Sequence, residues 1–366
     1  MRTPWAGSEG GGGQPHTLIR LKPFLYSFPV CVTVIYISLM IFGLLGNILT
    51  ILVVWLRPHM RSSTYLYLSS MAVSDLLILL LLPLDLYKLW RPRPWPLGDL
   101  ACKLTMFLSE CCTFCTILHI TLLSLERYLA VCWPITAKTV VTRHRTRVII
   151  GCLWLGAAVS AAPVLVMVGV EDVGGEELGL NQGRGMGWRS GKERAGGEAD
   201  RRECRCMDYA ISSGLLSAMM ILSNLYFLVP LCILGLVYSL IGRTLWLRPK
   251  SSRRDQSHRN TVKMLGVIVL AFVLCWLPFH VGRTIFSLSL DAHVYFLYYL
   301  SQYFNLVSSI LFYLSAAINP LLYNLMSARY RLAVRSLKFP FPHHGHKSLV
   351  TFGFVWNDYT TDSFIN

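Results

Sequence analysis

Asp75 is the costliest residue in the chain to place. It stands in AVSDLLILLLLP, a carboxylate between apolar runs, and an ionisable group in such surroundings marks a functional site by default. Asn47, Thr116, Ser315 and Asn319 occupy other apolar runs and, facing inward, would surround that carboxylate with neutral oxygens. Such a set suits a hard monovalent cation, an allosteric Na+. The competing reading is a hydrated hydrogen-bond hub that joins helices. No other cofactor is expected, because no apolar run holds a His, Cys and carboxylate cluster at metal-ligand spacing. No nucleophile stands beside a base, which argues against an enzyme.

A second set of charges could recognise a ligand. Glu110 and Arg283 lie a little inside the ends of two apolar runs, and Asp85 follows Pro83 near the end of a third, with Lys88, Arg91 and Arg93 just beyond. Opposite charges facing each other across a bundle offset part of their burial cost. With Phe279 and Phe312 nearby, they would line a cavity for an amphipathic ligand; a stabilising ion pair at helix ends is the plainer alternative. A third set could switch. In SLERYLAVC, Glu126 and Arg127 are adjacent and form a local pair that can break to free Arg127. Pro278 in CWLPFH and Pro320 in NPLLY, the latter flanked by Asn319 and Tyr323, each remove a helical hydrogen bond and bend the helix.

Seven apolar segments must position these groups: 27–56, 64–90, 101–132, 147–170, 211–242, 261–288 and 295–325. Each has the ~20 largely apolar residues that cross ~30 Å of hydrocarbon as a helix. None shows the alternation of a barrel strand. The expected fold class is all-α, a seven-transmembrane helix bundle over residues 27–326. Residues 1–26, with a GGGG run and no signal-peptide apolar region, are expected to be a disordered extracellular segment, and the first span to act as the insertion signal. The loop at 171–208, with nine acids, seven bases and many glycines, cannot bury a core and is expected to be disordered at its centre. No Asn-x-Ser/Thr sequon occurs, so N-glycosylation is not expected.

The chain has 366 residues, 54% hydrophobic and 14% charged, with a net charge of +15. So few charges cannot coat several soluble domains. An excess of positive charge in a soluble protein suggests nucleic acid, but 18 of the 34 basic residues fall in the loops of one face and in the segment after the last span. That face is expected to be cytoplasmic and the N-terminus extracellular, with no nucleic-acid partner. Of eleven cysteines, Cys102 opens the third span on the outer side, and Cys204 and Cys206 lie in the long outer loop. One disulfide from Cys102 to that loop is expected in an oxidising compartment. Spacing leaves Cys204 and Cys206 as alternative partners.

Taken in order, Gly46-Asn47, Asp75, Glu126-Arg127-Tyr128, Trp154, Pro230, Tyr238, Cys275-Trp276-Leu277-Pro278 and Asn319-Pro320-x-x-Tyr323 resemble the rhodopsin-like class of G-protein-coupled receptors over roughly residues 25–338. The strings TYLYLSSMAVSDLLI, LPLDLYKLWRPRPW, CWLPFHVGR, SLIGRTLW and FYLSAAINPLLYNLMSARYR are similar to the ghrelin and motilin receptor family. SGLL at 213–216 and the AAINP form lean to the ghrelin branch, whereas DLY at 85–87, SQYFN at 301–305 and the long outer loop look more like the motilin branch. Ghrelin-like is the first reading, and neuromedin U or neurotensin types stand behind motilin.

The resemblance implies an extracellular peptide ligand, which can be acylated, at the plasma membrane, with Asp85, Glu110 and Arg283 in its cavity and Phe279 and Phe312 in an aromatic cluster. Met106 stands where the family usually carries Gln, which alters the pocket's polar contacts. Glu126, Arg127, Tyr238, Trp276, Pro278, Pro320 and Tyr323 match the family's activation switch. A Gq-class G protein, arrestin and receptor kinases are the implied partners. Residues 327–338 resemble the short amphipathic helix of the inner leaflet, and with no Cys after it, palmitoylation is not expected; 339–366 complete a cytoplasmic tail. Tyr313 occupies the place where an opsin needs Lys, and Ser109 the place where an amine receptor needs Asp. A transporter or channel would show half-helices, a hydropathy repeat or a charge ring, none of which is visible in the sequence.

Overall fold

The computed structural model describes residues 16–91, 94–172, 202–247, 253–291 and 295–337. In chain order its elements are α1 (His16–Leu56), α2 (Ser63–Trp90), α3 (Gly98–Cys132), α4 (Pro134–Val140), α5 (Arg143–Ala161), α6 (Val164–Met167), β1 (Val168–Asp172), β2 (Arg202–Cys206), α7 (Asp208–Ser212), α8 (Leu215–Leu247), α9 (Arg253–Asp291), α10 (Tyr295–Met326) and α11 (Ala328–Arg335). The long helices α1, α2, α3, α5, α8, α9 and α10 form the bundle. Six stretches, in α1, α2, α3, α5–α6, α8 and α10, are long and apolar enough to cross a bilayer, and α9 supplies a shorter apolar stretch, Val269–Ile285.

Local sequence explains the helix ends. The Thr142 hydroxyl accepts from the Arg145 backbone N–H at 3.4 Å and starts α5; the Ser327 hydroxyl accepts from Tyr330 at 3.2 Å and starts α11. Both satisfy an orphan amide of the first turn. Gly98, at φ +77°, lets the chain turn into α3. Pro83, Pro230, Pro278 and Pro320 sit inside α2, α8, α9 and α10. A bundle tolerates them because neighbouring groups take up the freed carbonyls.

The largest buried cluster runs the length of the bundle and includes Tyr67, Phe227, Trp276, Tyr313 and Tyr323. A second lies beneath the hairpin around Phe114, Met167 and Met219. Outward, Ile41, Phe42, Leu80, Leu155, Val159, Leu236 and Leu274 are all exposed. On a soluble monomer that much apolar surface would aggregate; on this one it meets hydrocarbon. α1 approaches α10 so closely that a Cβ on Gly46 would lie 2.8 Å from Pro320 Cβ, and one on Gly43 3.2 Å from the Ala317 Cα.

Several boundaries differ from expectation. α1 begins at His16, so part of the segment expected to be disordered is helical; HTLIRLKPFLY carries helix-forming Leu and Lys up to Pro23. The fourth span ends at Met167 rather than 170: Pro163 separates α5 from the short α6, and the VGVED that follows α6 extends as β1. β1 pairs antiparallel with β2, with Val170 opposite Cys204 and Val168 opposite Cys206. This hairpin is an addition to the all-α bundle. α9 starts at Arg253, inside the basic stretch taken as a loop, since no Gly or Pro separates 253 from 261. The centre of the long loop and the tail from 338 lie outside the described residues.

Candidate functional site

At the Cys102 end, α3 and α9 bring Glu110 and Arg283 into contact. Arg283 Nη1 donates to Glu110 Oε2 at 2.9 Å and Oε1 at 3.1 Å. Glu110 is buried, and the Arg283 guanidinium lies 5.1 Å from the Phe279 ring centroid. A charge-assisted pair with cation–π support behind it is well suited to hold an arginine in an apolar wall. Below it Phe279 and Phe312 each meet Trp276 edge-on, with centroids at 5.7 and 5.4 Å. Trp276 is buried and its indole N–H has no hydrogen-bond partner among the described residues.

Asp85 is held from the opposite side. Tyr313 Oη donates to Asp85 Oδ2 at 2.6 Å, and Lys88 Nζ lies 3.8 Å from Oδ1. Lys88 in turn lies 5.1 Å from the Trp95 ring centroid. The site thus has two anchored carboxylates, one on α2 and one on α3, separated by aromatic side chains of α9 and α10. Met106 does not join them: it packs with Phe107 and Leu215 on the cluster beneath the hairpin. Tyr313 was weighed in the sequence only as the absence of Lys, so its role toward Asp85 went unread; a buried Tyr needing a partner for its hydroxyl is the general signal. His280 and Asn224 were likewise missed. His280 stacks on Phe227 at 4.5 Å, and its Nδ1 is 3.3 Å from Asn224 Oδ1.

The hairpin lies over the Cys102 end of α3. Cys102 and Cys204 form the disulfide, which settles the choice left by spacing, and Cys206 is a free, partly buried thiol. Burial first, and Glu171 second, push that thiol above its ordinary range. Asp99 Oδ1 accepts from the Val170 amide at 3.0 Å, and the Trp95 amide donates to the Arg202 carbonyl at 2.9 Å.

In the middle of the bundle, Asn319 Nδ2 donates to Asp75 Oδ2 at 3.0 Å, and both are buried. The other three residues expected around Asp75 make bonds elsewhere. Thr116 is hydrogen-bonded to Ser74 at 3.1 Å, and Ser315 donates to its own helix at Phe312. Asn47 Nδ2 donates to the Gly43 and Ala316 carbonyls, each at 2.9 Å, tying α1 to α10. Asn47 Oδ1 is buried without a hydrogen-bond partner among the described residues. Only Asn319 is bonded to the Asp75 carboxylate; the remaining carboxylate, hydroxyl and amide oxygens are chemically the donor type that a hard cation takes.

At the Arg127 end, Ser63 is the residue the sequence did not disclose. Its hydroxyl donates to Glu126 Oε2 at 2.6 Å and is hydrogen-bonded to Thr146 at 2.7 Å. One hydroxyl therefore joins α2, α3 and α5. Glu126 reaches Arg127 at 4.0 Å, longer than its bond to Ser63. Arg127 Nε and Tyr323 Oη are buried without hydrogen-bond partners among the described residues, and Tyr238 is hydrogen-bonded to Ser124 at 3.4 Å. Thr50 and Tyr330, 3.0 Å apart, fix α11 to α1.

The family model described as 7 transmembrane receptor (rhodopsin family) matches residues 46–323. Growth hormone secretagogue receptor type 1 of Sus scrofa is 50% identical over 312 residues, covering 84% of this chain and 80% of the relative. The same receptor of Homo sapiens is 47% identical over 336 residues, 90% of this chain and 86% of its own. The Homo sapiens motilin receptor is 44% identical over 374 aligned residues, with coverages of 92% and 90%.

Proposed function

Because the chain belongs to the rhodopsin family of seven-transmembrane receptors, a multi-pass membrane family of receptors and not of enzymes, we propose that it is a peptide-hormone receptor of the ghrelin and motilin type. The ghrelin type is the first reading, with a Gq-class G protein raising phospholipase C activity and Ca2+. The observation that carries the reading is the pair of anchored carboxylates, Asp85 with Tyr313 and Glu110 with Arg283, facing one end of the bundle across an aromatic wall. A peptide with a charged amino-terminal portion competes for those carboxylates, and an acyl chain lies against Phe279 and Phe312.

The N-terminus faces outside the plasma membrane in this reading, because the basic loops crowd the Arg127 end. Peptide binding shifts a pre-existing equilibrium. α9 swings about the Pro278 region, Trp276 moves with it, and a cleft lined by Arg127, Tyr238 and Tyr323 opens for the G protein. Pro320 supplies the matching bend in α10. Receptor kinases and arrestin then act at the same face. Asp75, Asn319, Thr116, Ser315 and Asn47 would hold Na+, which supplies a compensating charge for the buried carboxylate.

The test is Ca2+ release in cells expressing the receptor, with acylated ghrelin and motilin side by side. Response to acylated ghrelin at lower concentration assigns the ghrelin type; the reverse order assigns motilin, which the long outer loop favours. Arg283→Ala is expected to raise the peptide concentration needed at unchanged surface expression. Unchanged potency would overturn the pocket assignment.

A further inference from the structure

A cleft of about 380 Å³ lies at the Arg127 end, between α3, α4 and α5, within the size range of small-molecule sites. Leu122, Leu125, Leu129 and Ile149 give it an apolar wall. Two of its polar neighbours are already engaged: Glu126 accepts from Ser63, and the single Thr146 hydroxyl proton is shared between Ser63 Oγ at 2.7 Å and the Thr142 carbonyl at 3.0 Å. Arg145 differs. It lines the cleft and is exposed, and its Nη1 donates to the Thr139 and Val140 carbonyls at 2.9 and 3.4 Å. Its Nη2 and Nε make no hydrogen bond among the described residues.

The surroundings select a charge. Arg143, His144 and Arg147 are exposed on the same first turns of α5, and neither α4 nor α5 contains an acid. Val140 and Ile149 of the cleft wall, and Val148 beside them, are exposed apolar groups, so the cleft faces hydrocarbon with its guanidinium at the membrane boundary. The wall's one carboxylate, Glu126, is held by Ser63 and reaches Arg127, and a long arginine holding its charge at the interface is the expected arrangement. We propose that this cleft binds an amphiphile with one alkyl chain and one anionic head, a long-chain carboxylate whose head pairs with Arg145 and whose chain lies along Leu122, Leu125 and Ile149. Glu126 and Thr146 form part of the same wall, so an occupant bears on the Ser63 bridge that joins α2, α3 and α5. The site thereby couples membrane composition to the inner end of the receptor, and it stands whichever peptide proves to be the hormone.

Photolabelling tests this directly. The full-length receptor in phosphatidylcholine nanodiscs is irradiated with a diazirine-bearing long-chain fatty acid, and labelled peptides are mapped by mass spectrometry. Label is expected within 122–129 and 140–149, displaced by oleate and not by oleyl alcohol. Arg145→Gln is expected to lower it about fivefold, the upper end for one solvent-exposed ion pair, and Arg145→Lys to restore most of it. Equal labelling of Arg145→Gln, equal competition by oleyl alcohol, or label spread over every lipid-facing helix would overturn the proposal. If Arg145→Gln is not monodisperse, Leu125→Trp, which fills the cleft and keeps the charge, must abolish the label. Phosphatidylglycerol added to the nanodisc is expected to leave the label in place; displacement by it would assign the cleft to a two-chain phospholipid and overturn the proposal.

Discussion

At the residue scale the decisive groups are charges whose partners the bundle supplies from elsewhere in the chain. Glu110 is buried and Arg283 only partly so, which makes truncation of either asymmetric. Glu110→Ala leaves a guanidinium facing Phe279 with no carboxylate, a loss of about 3 kcal/mol if the site stays closed. Thermal unfolding of purified receptor is expected to show that loss, and the charge-swapped double variant Glu110→Arg/Arg283→Glu to recover part of it. Absence of recovery would mean that orientation rather than pairing matters. Tyr313→Phe removes the 2.6 Å bond to Asp85, worth about 1.5–3 kcal/mol for a hydrogen bond to a charged group. Peptide potency is expected to shift in that variant while Asp85→Asn shifts it further, because the carboxylate itself is the proposed contact. The charges were legible because a lone ion in an apolar run is too costly to be incidental. Tyr313 and Ser63 were not, since hydroxyl residues are common in such runs and their partners lie 228, 63 and 83 residues away in sequence.

At the scale of elements, small residues decide how closely helices approach, and shared hydroxyls decide what holds them. Gly46 was read as part of a motif, yet its reason is packing: α1 meets α10 where a side chain would strike Pro320. Gly46→Val is expected to destabilise the receptor by about 1–3 kcal/mol, the usual cost of overpacking, measured as a lower unfolding temperature in detergent. Gly151, with open space around it, is the matched control. Ser63 is the corresponding device at the inner end. Ser63→Ala removes one hydroxyl that serves both Glu126 and Thr146, about 1–2 kcal/mol, enough to raise the minor state by about 5- to 30-fold. Ligand-independent G-protein activation is expected to rise in Ser63→Ala and less in Thr146→Ala. A fall would show that the bridge belongs to the signalling state. Helix number and order followed from hydropathy, whereas the ends of α5 and α9 did not. Pro163 and the absence of a breaker after Arg253 acted locally, and a hydropathy window averages over such positions.

At the scale of the whole molecule the two ends are built differently. The Arg127 end carries the positive charge and is held by hydroxyl bridges, while the Cys102 end carries a hairpin clamped to α3. That clamp has three parts: the Cys102–Cys204 disulfide, the Val170 amide on Asp99, and the Trp95 amide on the Arg202 carbonyl. The hairpin therefore does not depend on the disulfide alone for its position, although the disulfide is its covalent tether to α3. Removing a disulfide costs typically 2–4 kcal/mol through the freed chain, and here the two backbone contacts retain part of the pairing. Cys206 sits two residues along the same strand with a thiol that burial keeps protonated, so it exchanges poorly with the bridge near neutral pH. Cys204→Ser is expected to lower peptide affinity and unfolding temperature together, and Cys206→Ser to change neither. Mild reduction of the unmodified receptor should reproduce the first variant and leave it without further loss. If Cys206→Ser proved as damaging as Cys204→Ser, the two sulfurs would be sharing Cys102, and the clamp would be a mixture of two registers rather than one.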